Sequence, residues 1–149
     1  MKRLFIAFVA MVATTLSFTS CDKETDMIVD FSTLPAAAQS TITTHFDKDQ
    51  IMLVTYDKEL FDKEYSVTLF DGTVIEFDKD GSWESIESNI AGVPMSIIPD
   101  NIAQYLTTYY AEQMVVEIDK DTTGYDLTLE NRVELEFNLS GTLIGVDMN

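Results

Sequence analysis

The chain has few of the residues that carry redox, catalytic or nucleic-acid chemistry. Its 149 residues include one cysteine, one histidine and one tryptophan, and 9 basic residues stand against 26 acidic ones. A single cysteine excludes an intrachain disulfide. With a formal charge of −17 there is no basic face for phosphate contacts, so nucleic acid is not expected as a partner. The acidity suits a solvated surface, cation association or a basic partner protein.

The chain also has few candidate catalytic residues. The only histidine, His45, has no second histidine beside it, and no G-x-S-x-G or S-x-x-K stretch frames a serine. Carboxylate pairs could serve glycoside hydrolysis, but 26 acidic residues produce such pairs by number alone. We therefore predict no catalytic residues and no enzyme. No cofactor is expected, with calcium as the one candidate considered below.

The N-terminus reads as a segment separate from the rest. Lys2 and Arg3 precede an apolar stretch at residues 5–16, which is too short for a permanent membrane span. Small and hydroxyl residues then lead to Cys21. This order resembles a bacterial lipoprotein signal, in which the cysteine is acylated and becomes the mature N-terminus, although Phe18 stands where leucine is commonest. A buried free thiol is the alternative for Cys21, which its polar neighbours disfavour.

The lipoprotein resemblance sets the expected location. It implies a signal peptide at residues 1–20, lipidation at Cys21, and a polar tether at residues 21–33. The protein is then expected in the cell envelope, anchored by lipid to the outer membrane and facing the periplasm or the cell surface. Loss of residues 1–20 removes two basic residues and no acidic ones, so the formal charge goes from −17 to −19.

Two segments of the chain share one pattern. LPAAAQSTITTHF has an apolar residue at every fourth position and a proline in its first turn, which is typical of a helix with one apolar stripe. IPDNIAQYLTTYY repeats this stripe 64 residues later. The equivalent pairs are Leu34 and Ile98, Ala38 and Ile102, Ile42 and Leu106, and Phe46 and Tyr110. His45 is matched by Tyr109, as expected of a surface position.

The repetition continues beyond the helix. EYSVTLFDGTVIEFDKDGSW aligns without a gap on GYDLTLENRVELEFNLSGTL at an offset of 60, so we predict an internal duplication. Within each copy the apolar period changes to 2, which is typical of strands half-buried against a helix. IMLVTY, YSVTLF, TVIEF and SWESIE are the predicted strands of the first copy, and Asp–Gly pairs supply the turns.

The expected fold class is therefore α+β. It consists of two tandem copies of a helix followed by a three- to four-stranded antiparallel meander, with the helices on one sheet face and the other face open to water. We place the first copy at residues 34–88, a linker at 89–97 and the second copy at 98–149.

These residues resemble the PepSY-like family of Bacteroidetes envelope proteins, described as β-lactamase-inhibitor-like. The resemblance rests on an LP-helix followed by EY-V-L-DG-IEFD-DG-W-I, and it covers roughly residues 34–147. It implies a non-enzymatic envelope protein with an inhibitor or binding role. Asn131–Arg132 replaces Asp71–Gly72 in the second copy and Leu143 replaces Trp83, so the copies are not expected to carry the same site.

One stretch, EFDKDGSWESIE, also fits a calcium-binding loop. Oxygen ligands stand at its first, third, fifth and twelfth places, with glycine sixth. These ligands are Glu76, Asp78, Asp80 and Glu87. Such a loop needs a helix on each side, whereas the flanking residues here alternate as strands. We therefore favour a β-hairpin and keep the four carboxylates as the candidate metal ligands.

The open sheet face is the candidate partner-binding surface. If Ile75 and Phe77 face the helices, Glu76 faces water. The orientation of Trp83 is ambiguous, because an inward Ile86 would turn it outward, while packing in the core is the alternative. The predicted partner-binding residues are Thr68, Phe70, Glu76, Trp83, Thr128, Glu130, Glu134 and Glu136.

Two functions remain open from the residues alone. The first is a lipid-anchored envelope protein whose sheet face binds an unidentified protein or peptide, with the lipid as its only membrane contact. The second is a calcium- or cation-responsive periplasmic protein.

Overall fold

The computed structural model describes residues 27–57 and 64–148, so Cys21 and the predicted signal segment lie outside the described residues. Its two α-helices are α1 (Ala36–His45) and α2 (Asp100–Tyr109), and 3-10 helices cover Phe31–Thr33 and Lys48–Gln50. The strands are β1 (Met27–Ile28), β2 (Ile51–Asp57), β3 (Glu64–Leu69), β4 (Val74–Phe77), β5 (Trp83–Glu87), β6 (Val115–Lys120), β7 (Gly124–Leu129), β8 (Val133–Asn138) and β9 (Leu143–Met148).

All nine strands of the described chain form one antiparallel sheet in sequence order, from β1 at one edge to β9 at the other. Helix α1 precedes β2 to β5, and α2 precedes β6 to β9. The two groups of four strands join at the centre, where Ser85–Glu87 of β5 pair with Glu117–Asp119 of β6. The fold is therefore a mixture of helix and antiparallel sheet, as predicted at the level of α+β.

The helices form because each carries one apolar stripe, and that stripe faces the sheet. Ala38 and Ile42 of α1 are fully buried, as is Ile102 of α2, and Leu106 is nearly so. They belong to one hydrophobic cluster with the inward side chains of the strands, among them Phe77 and Phe137. Each large apolar side chain contributes about 1.5–3 kcal/mol by leaving water. Both helices therefore cover the same face of the sheet.

The hairpin turns follow from residues that tolerate a positive φ. Gly72 has φ of 86°, and the equivalent Arg132 has φ of 68°. In both turns the preceding side chain accepts a backbone N–H two residues on, from Thr73 to Asp71 Oδ1 and from Val133 to Asn131 Oδ1. The Asn–Arg pair therefore builds the same turn as the Asp–Gly pair.

The second hairpin turn of each group touches a helix. Gly81 has φ of 87°, and a Cβ there would lie 2.8 Å from the backbone nitrogen of Ala38. Gly141 has φ of 76°, and a Cβ there would lie 2.8 Å from Cβ of Asn101. Glycine is therefore required at both turns for two reasons, the backbone angle and the approach of the helix.

The fold begins before the predicted boundary at residue 34. Met27 and Ile28 pair with β2, and Val29 and Phe31 pack against the hydrophobic cluster. The predicted polar tether at residues 21–33 therefore overlaps the packed structure, which already begins at residue 27. Within residues 27–57 and 64–148, neither helix has the length and apolar character needed to cross a membrane.

Candidate functional site

The uncovered face of the sheet carries two rows of carboxylates that cross the strands. Residues paired across antiparallel strands point to the same side, so the register assigns each row. The first row runs Glu76, Ser85, Asp119, Asp126, Glu136 from β4 to β8. The second runs Val74, Glu87, Glu117, Thr128, Glu134, Asp147 from β4 to β9. We call the eight carboxylates the acidic face: Glu76, Glu87, Glu117, Asp119, Asp126, Glu134, Glu136 and Asp147.

Like charges stand directly opposite each other on the acidic face. Glu87 faces Glu117, and Asp126 faces Asp119 on one side and Glu136 on the other. Such cross-strand pairs destabilise a sheet. The arrangement therefore costs folding stability.

Partial burial and mutual repulsion raise the pKa of several of these carboxyls. Burial is the main cause for Glu76, with Glu64, Asp119 and Glu87 adding repulsion. Burial also raises the pKa of Asp126, and among its charged neighbours Glu136 adds the most repulsion. The acidic face therefore holds its negative charges less readily than isolated carboxyls would.

The same two effects act at the centre of the face, where hydrogen bonds oppose them. Burial raises the pKa of Glu117, and Asp119 and Glu87 add repulsion that outweighs the hydrogen bond from Thr128, whose Oγ1 lies 3.4 Å from Glu117 Oε2. Burial raises the pKa of Asp119 more than its hydrogen bond from Ser85 lowers it.

Basic side chains of the described ranges lie away from these rows. Lys79 and Arg132 occupy hairpin turns, and Lys48 stands 5.5 Å above the ring of Phe31. Lys120 stands 5.3 Å above the ring of Trp83. None of these four basic residues belongs to either row of the register.

Trp83 was predicted as a partner-binding residue, but it lies on the helix-covered side of the sheet. It pairs with Phe77, while Ser85 pairs with Glu76, so β5 has one extra residue at this point. This β-bulge reverses the alternation between Ile86 and Trp83, and both face the helices. Trp83 is half-buried, packs against the hydrophobic cluster and lies 6.3 Å from the ring of Tyr125. It therefore does not lie on the acidic face.

The other predicted partner-binding residues divide between the face and its rim. Glu76, Glu134 and Glu136 belong to the carboxylate rows, and Thr128 belongs to the second row. Thr68 of β3 pairs with Val74 at the end of that row. Phe70 follows β3 and is 66% exposed. Glu130 follows β7, and its carboxylate accepts the backbone N–H of Met114 at 3.1 Å. Phe70 and Glu130 are therefore rim residues beside hairpin turns.

The candidate calcium stretch forms a hairpin. β4 and β5 pair antiparallel, and Asp78 Oδ1 accepts the backbone N–H groups of Asp80 and Ser82 at 2.8 and 2.9 Å. Glu76 and Glu87 lie on the acidic face, whereas Asp78 and Asp80 belong to the turn. Across residues 27–57 and 64–148, no three acidic, histidine or cysteine side chains are grouped closely enough to hold a metal ion.

His45 has a structural contact. Its Nδ1 lies 2.8 Å from Oγ of Ser96, which ties the end of α1 to the segment before α2.

Four residues of the acidic face were not predicted, and three of them lie at its centre. Glu117 and Asp119 flank the buried Ile118 in β6, and Asp126 flanks Leu127 in β7. Asp147, near the end of β9, is the fourth. The alternation of VVEID was the signal that could have located Glu117 and Asp119. A bulge between Val115 and Glu117 interrupts that alternation at its start.

The fold and the acidic face together define an α+β protein with one helix-covered and one acidic sheet face. A family model described as "Putative beta-lactamase-inhibitor-like, PepSY-like" matches residues 14–69 and 63–145. The chain therefore belongs to the PepSY-like family, as the sequence resemblance predicted. No curated protein matches the chain.

Solved structures from Bacteroides are similar over most of this chain. A protein of Bacteroides thetaiotaomicron described as a "putative calcium-regulated periplasmic protein" is 36% identical, with a TM-score of 0.77, covering 82% of this chain and 96% of that one. A protein of Bacteroides vulgatus described as a "putative periplasmic protein" is 31% identical, with a TM-score of 0.76 and the same coverages. Another from that species, of unknown function, is 33% identical, with a TM-score of 0.74, covering 83% and 99%.

Proposed function

We propose that the protein is a non-enzymatic envelope lipoprotein whose acidic face binds a basic protein or peptide. The observation that carries this proposal is the pair of carboxylate rows, in which like charges stand opposite each other and the register places no lysine or arginine of the described residues. A partner that supplies lysine or arginine side chains would remove this repulsion. The inhibitor-like description of the family supports a binding role.

The extent of the acidic face favours a protein over a single ion. Neighbouring strands lie about 4.8 Å apart, so the rows from β4 to β8 span about 20 Å. One calcium ion reaches ligands within about 2.6 Å. An elongated basic segment could contact carboxylates of several strands at once, and its binding would weaken as salt screens the charges.

Location in the envelope is supported by the relatives, which are described as periplasmic. We infer that Cys21 carries the lipid that anchors the chain to the outer membrane. Cys21→Ser should move the protein from the detergent phase to the aqueous phase in a Triton X-114 partition. Equal partitioning of both forms would contradict the anchor.

We also infer that the two halves are tandem copies of one unit. The bulge between Ile51 and Leu53 recurs 64 residues later between Val115 and Glu117. The register shift at Glu76 and Phe77 likewise recurs 60 residues later. Irregularities at equivalent places support duplication more strongly than shared alternation, because any strand alternates.

A synthetic peptide tests the binding proposal. We expect a ten-residue peptide alternating lysine and threonine to bind the full chain, and added NaCl to weaken the binding. Glu117→Gln/Asp119→Asn/Asp126→Asn, which neutralises the centre of the face, should weaken binding at least about ten-fold, a loss of about 1.4 kcal/mol. Fluorescence anisotropy of the labelled peptide measures this.

The matched control removes the same number of charges elsewhere. Asp49→Asn/Asp80→Asn/Glu112→Gln changes three exposed carboxylates outside the rows. This control should bind the peptide nearly as tightly as the unaltered chain. Equal loss in both triple variants would mean that net charge alone attracts the peptide, and the proposed site would be wrong.

A calcium response is the second candidate, favoured by the description of the Bacteroides thetaiotaomicron relative as calcium-regulated. Glu76 and Glu87 of the predicted ligand set lie on the acidic face and would take part. Saturable calcium stabilisation should be about 2.7 kcal/mol at a hundredfold excess over Kd. Glu76→Gln/Glu87→Gln should abolish it, and magnesium should not reproduce it. A response equal to that of added NaCl would dismiss this candidate.

A further inference from the structure

A cavity of about 270 Å³ lies beside the end of α2, away from the acidic face. The cavity is lined by residues 91–93 and 95, by the end of α2 with the loop after it, and by the start of β6. The wall is largely apolar, with Leu106, Met95 and Met114 among its side chains. This volume is close to the lower limit of small-molecule sites, which are typically 300–1,000 Å³.

One polar atom in this wall has no hydrogen-bond partner among the described residues. Gln113 lines the cavity, and its Oε1 is buried without a hydrogen bond among the described residues. A buried acceptor without a donor costs stability, and such groups are rare in folded proteins. The last torsion of a glutamine side chain is soft, so the oxygen can turn toward a donor placed in the cavity. The unpaired oxygen can therefore accept a hydrogen bond from a ligand that brings an N–H or O–H group.

The equivalent place in the first half holds an aromatic ring. VDFSTLP at residues 29–35 corresponds to VPMSIIP at 93–99, which matches Phe31 with Met95. The turns are the same, because Leu34 N–H bonds to the Phe31 carbonyl as Ile98 N–H bonds to the Met95 carbonyl. Phe31 packs against the core, whereas Met95 is 47% exposed and borders the cavity. The second half thus has an opening where the first half has a phenyl ring.

We propose that this cavity binds a small aromatic group bearing one N–H or O–H donor. The apolar wall contacts the ring, and Gln113 accepts the hydrogen bond. The indole ring has this chemistry, whether as a free molecule or as a tryptophan side chain of a peptide. The proposal does not depend on what the acidic face binds, because the two surfaces share no residue.

Methionine methyl signals report on the cavity directly. In the full chain labelled with 13C at methionine methyls, indole should shift the signals of Met95 and Met114 and leave that of Met52 on β2 unchanged. 1-Methylindole has almost the same shape but no N–H donor. It should bind about ten-fold more weakly, which is the size of one hydrogen bond. Equal affinity for both compounds would overturn the role of Gln113.

Two variants separate ligand loss from loss of folding. Met95→Phe places in the second half the ring that the first half already has, so the chain should stay folded and bind indole at least ten-fold more weakly. Met52→Phe makes the same change at an exposed position and should not alter binding. Gln113→Leu should remove the preference for indole over 1-methylindole. Unchanged indole binding by Met95→Phe, with an intact spectrum, would refute the site.

N-Acetyltryptophanamide distinguishes the two sources of an indole ring. Tighter binding than free indole would assign the site to a peptide side chain. Binding of free indole alone would assign it to a small molecule. Absence of any shift at Met95 and Met114 with either compound would refute the proposal.

Discussion

Replacing Gly81 by alanine is expected to destabilise the protein by about 2–5 kcal/mol. The left-handed backbone at this position, with φ of 87°, costs an L-residue about 1–2 kcal/mol. The added Cβ would also lie 2.8 Å from the backbone nitrogen of Ala38 and 2.8 Å from Cβ of Pro35. Overpacking of this kind costs about 1–3 kcal/mol more. Urea unfolding followed by far-UV circular dichroism measures the loss.

Gly72→Ala separates the two causes. Gly72 has nearly the same φ, 86°, but a Cβ there would meet nothing within 4 Å. The Gly72→Ala variant should therefore lose only the stability that the left-handed backbone costs an L-residue, about 1–2 kcal/mol. The entropy that alanine removes from the unfolded chain is the same in both variants and cancels in the comparison. If Gly81→Ala were no less stable than Gly72→Ala, the contact between the β4–β5 turn and α1 would be wrong.

The second large effect is a stability gain on neutralising the centre of the acidic face. Glu117→Gln/Asp119→Asn/Asp126→Asn removes three cross-strand like-charge contacts, those of Glu87 with Glu117 and of Asp126 with its two neighbours. At about 0.2–1 kcal/mol for each contact, the gain at pH 7.5 is about 0.6–3 kcal/mol. Asp49→Asn/Asp80→Asn/Glu112→Gln, with the same net charge, should gain less.

The pH dependence has a sign that follows from the raised pKa values. In the folded protein the carboxyls of Glu76, Glu117, Asp119 and Asp126 hold protons more tightly than in the unfolded chain, where their pKa is about 4. Their contribution to stability is therefore complete below about pH 4 and is lost as the pH rises through the raised values.

Melting temperature should consequently rise as the pH falls through the raised pKa values of these carboxyls toward about 4. At still lower pH Asp30 opposes this gain. Its hydrogen bonds from Ser32 hold the pKa of its carboxyl below the ordinary value. The stabilisation that Asp30 provides is therefore lost as the pH falls through this lowered pKa. The neutralised triple variant should show a flatter profile above about pH 4. A profile parallel to that of the unaltered chain would contradict the assignment.

Much of the fold could be predicted because its local signals are strong. The stripe of Ala38 and Ile42, and that of Ile102 and Leu106, have the helical period, and all four residues are buried as expected. The alternation around Ile75 and Phe77 located the strands and the inward side of the sheet. The hairpin reading of EFDKDGSWESIE is confirmed, because β4 and β5 pair antiparallel around the Asp78 turn.

The orientation of Trp83 and the centre of the acidic face could not be predicted, because neither follows from the alternation of apolar residues. A single extra residue in β5 placed Trp83 beside the helices, and no residue in that stretch distinguishes a bulged strand from a regular one. The acidic face could be foreseen only in part, because its centre is formed where β5 meets β6. Those strands are separated in the sequence by α2, and their pairing is a tertiary contact.

Site-specific photocrosslinking in the living envelope tests the central claim most directly. Benzoylphenylalanine at Thr128 stands within the acidic face, and the same residue at Thr43 stands on the exposed side of α1. The account predicts a basic protein crosslinked from position 128 and not from 43, and its loss in the Glu117→Gln/Asp119→Asn/Asp126→Asn variant. No crosslink from position 128, or equal products from both positions that survive the neutralisation, would contradict it.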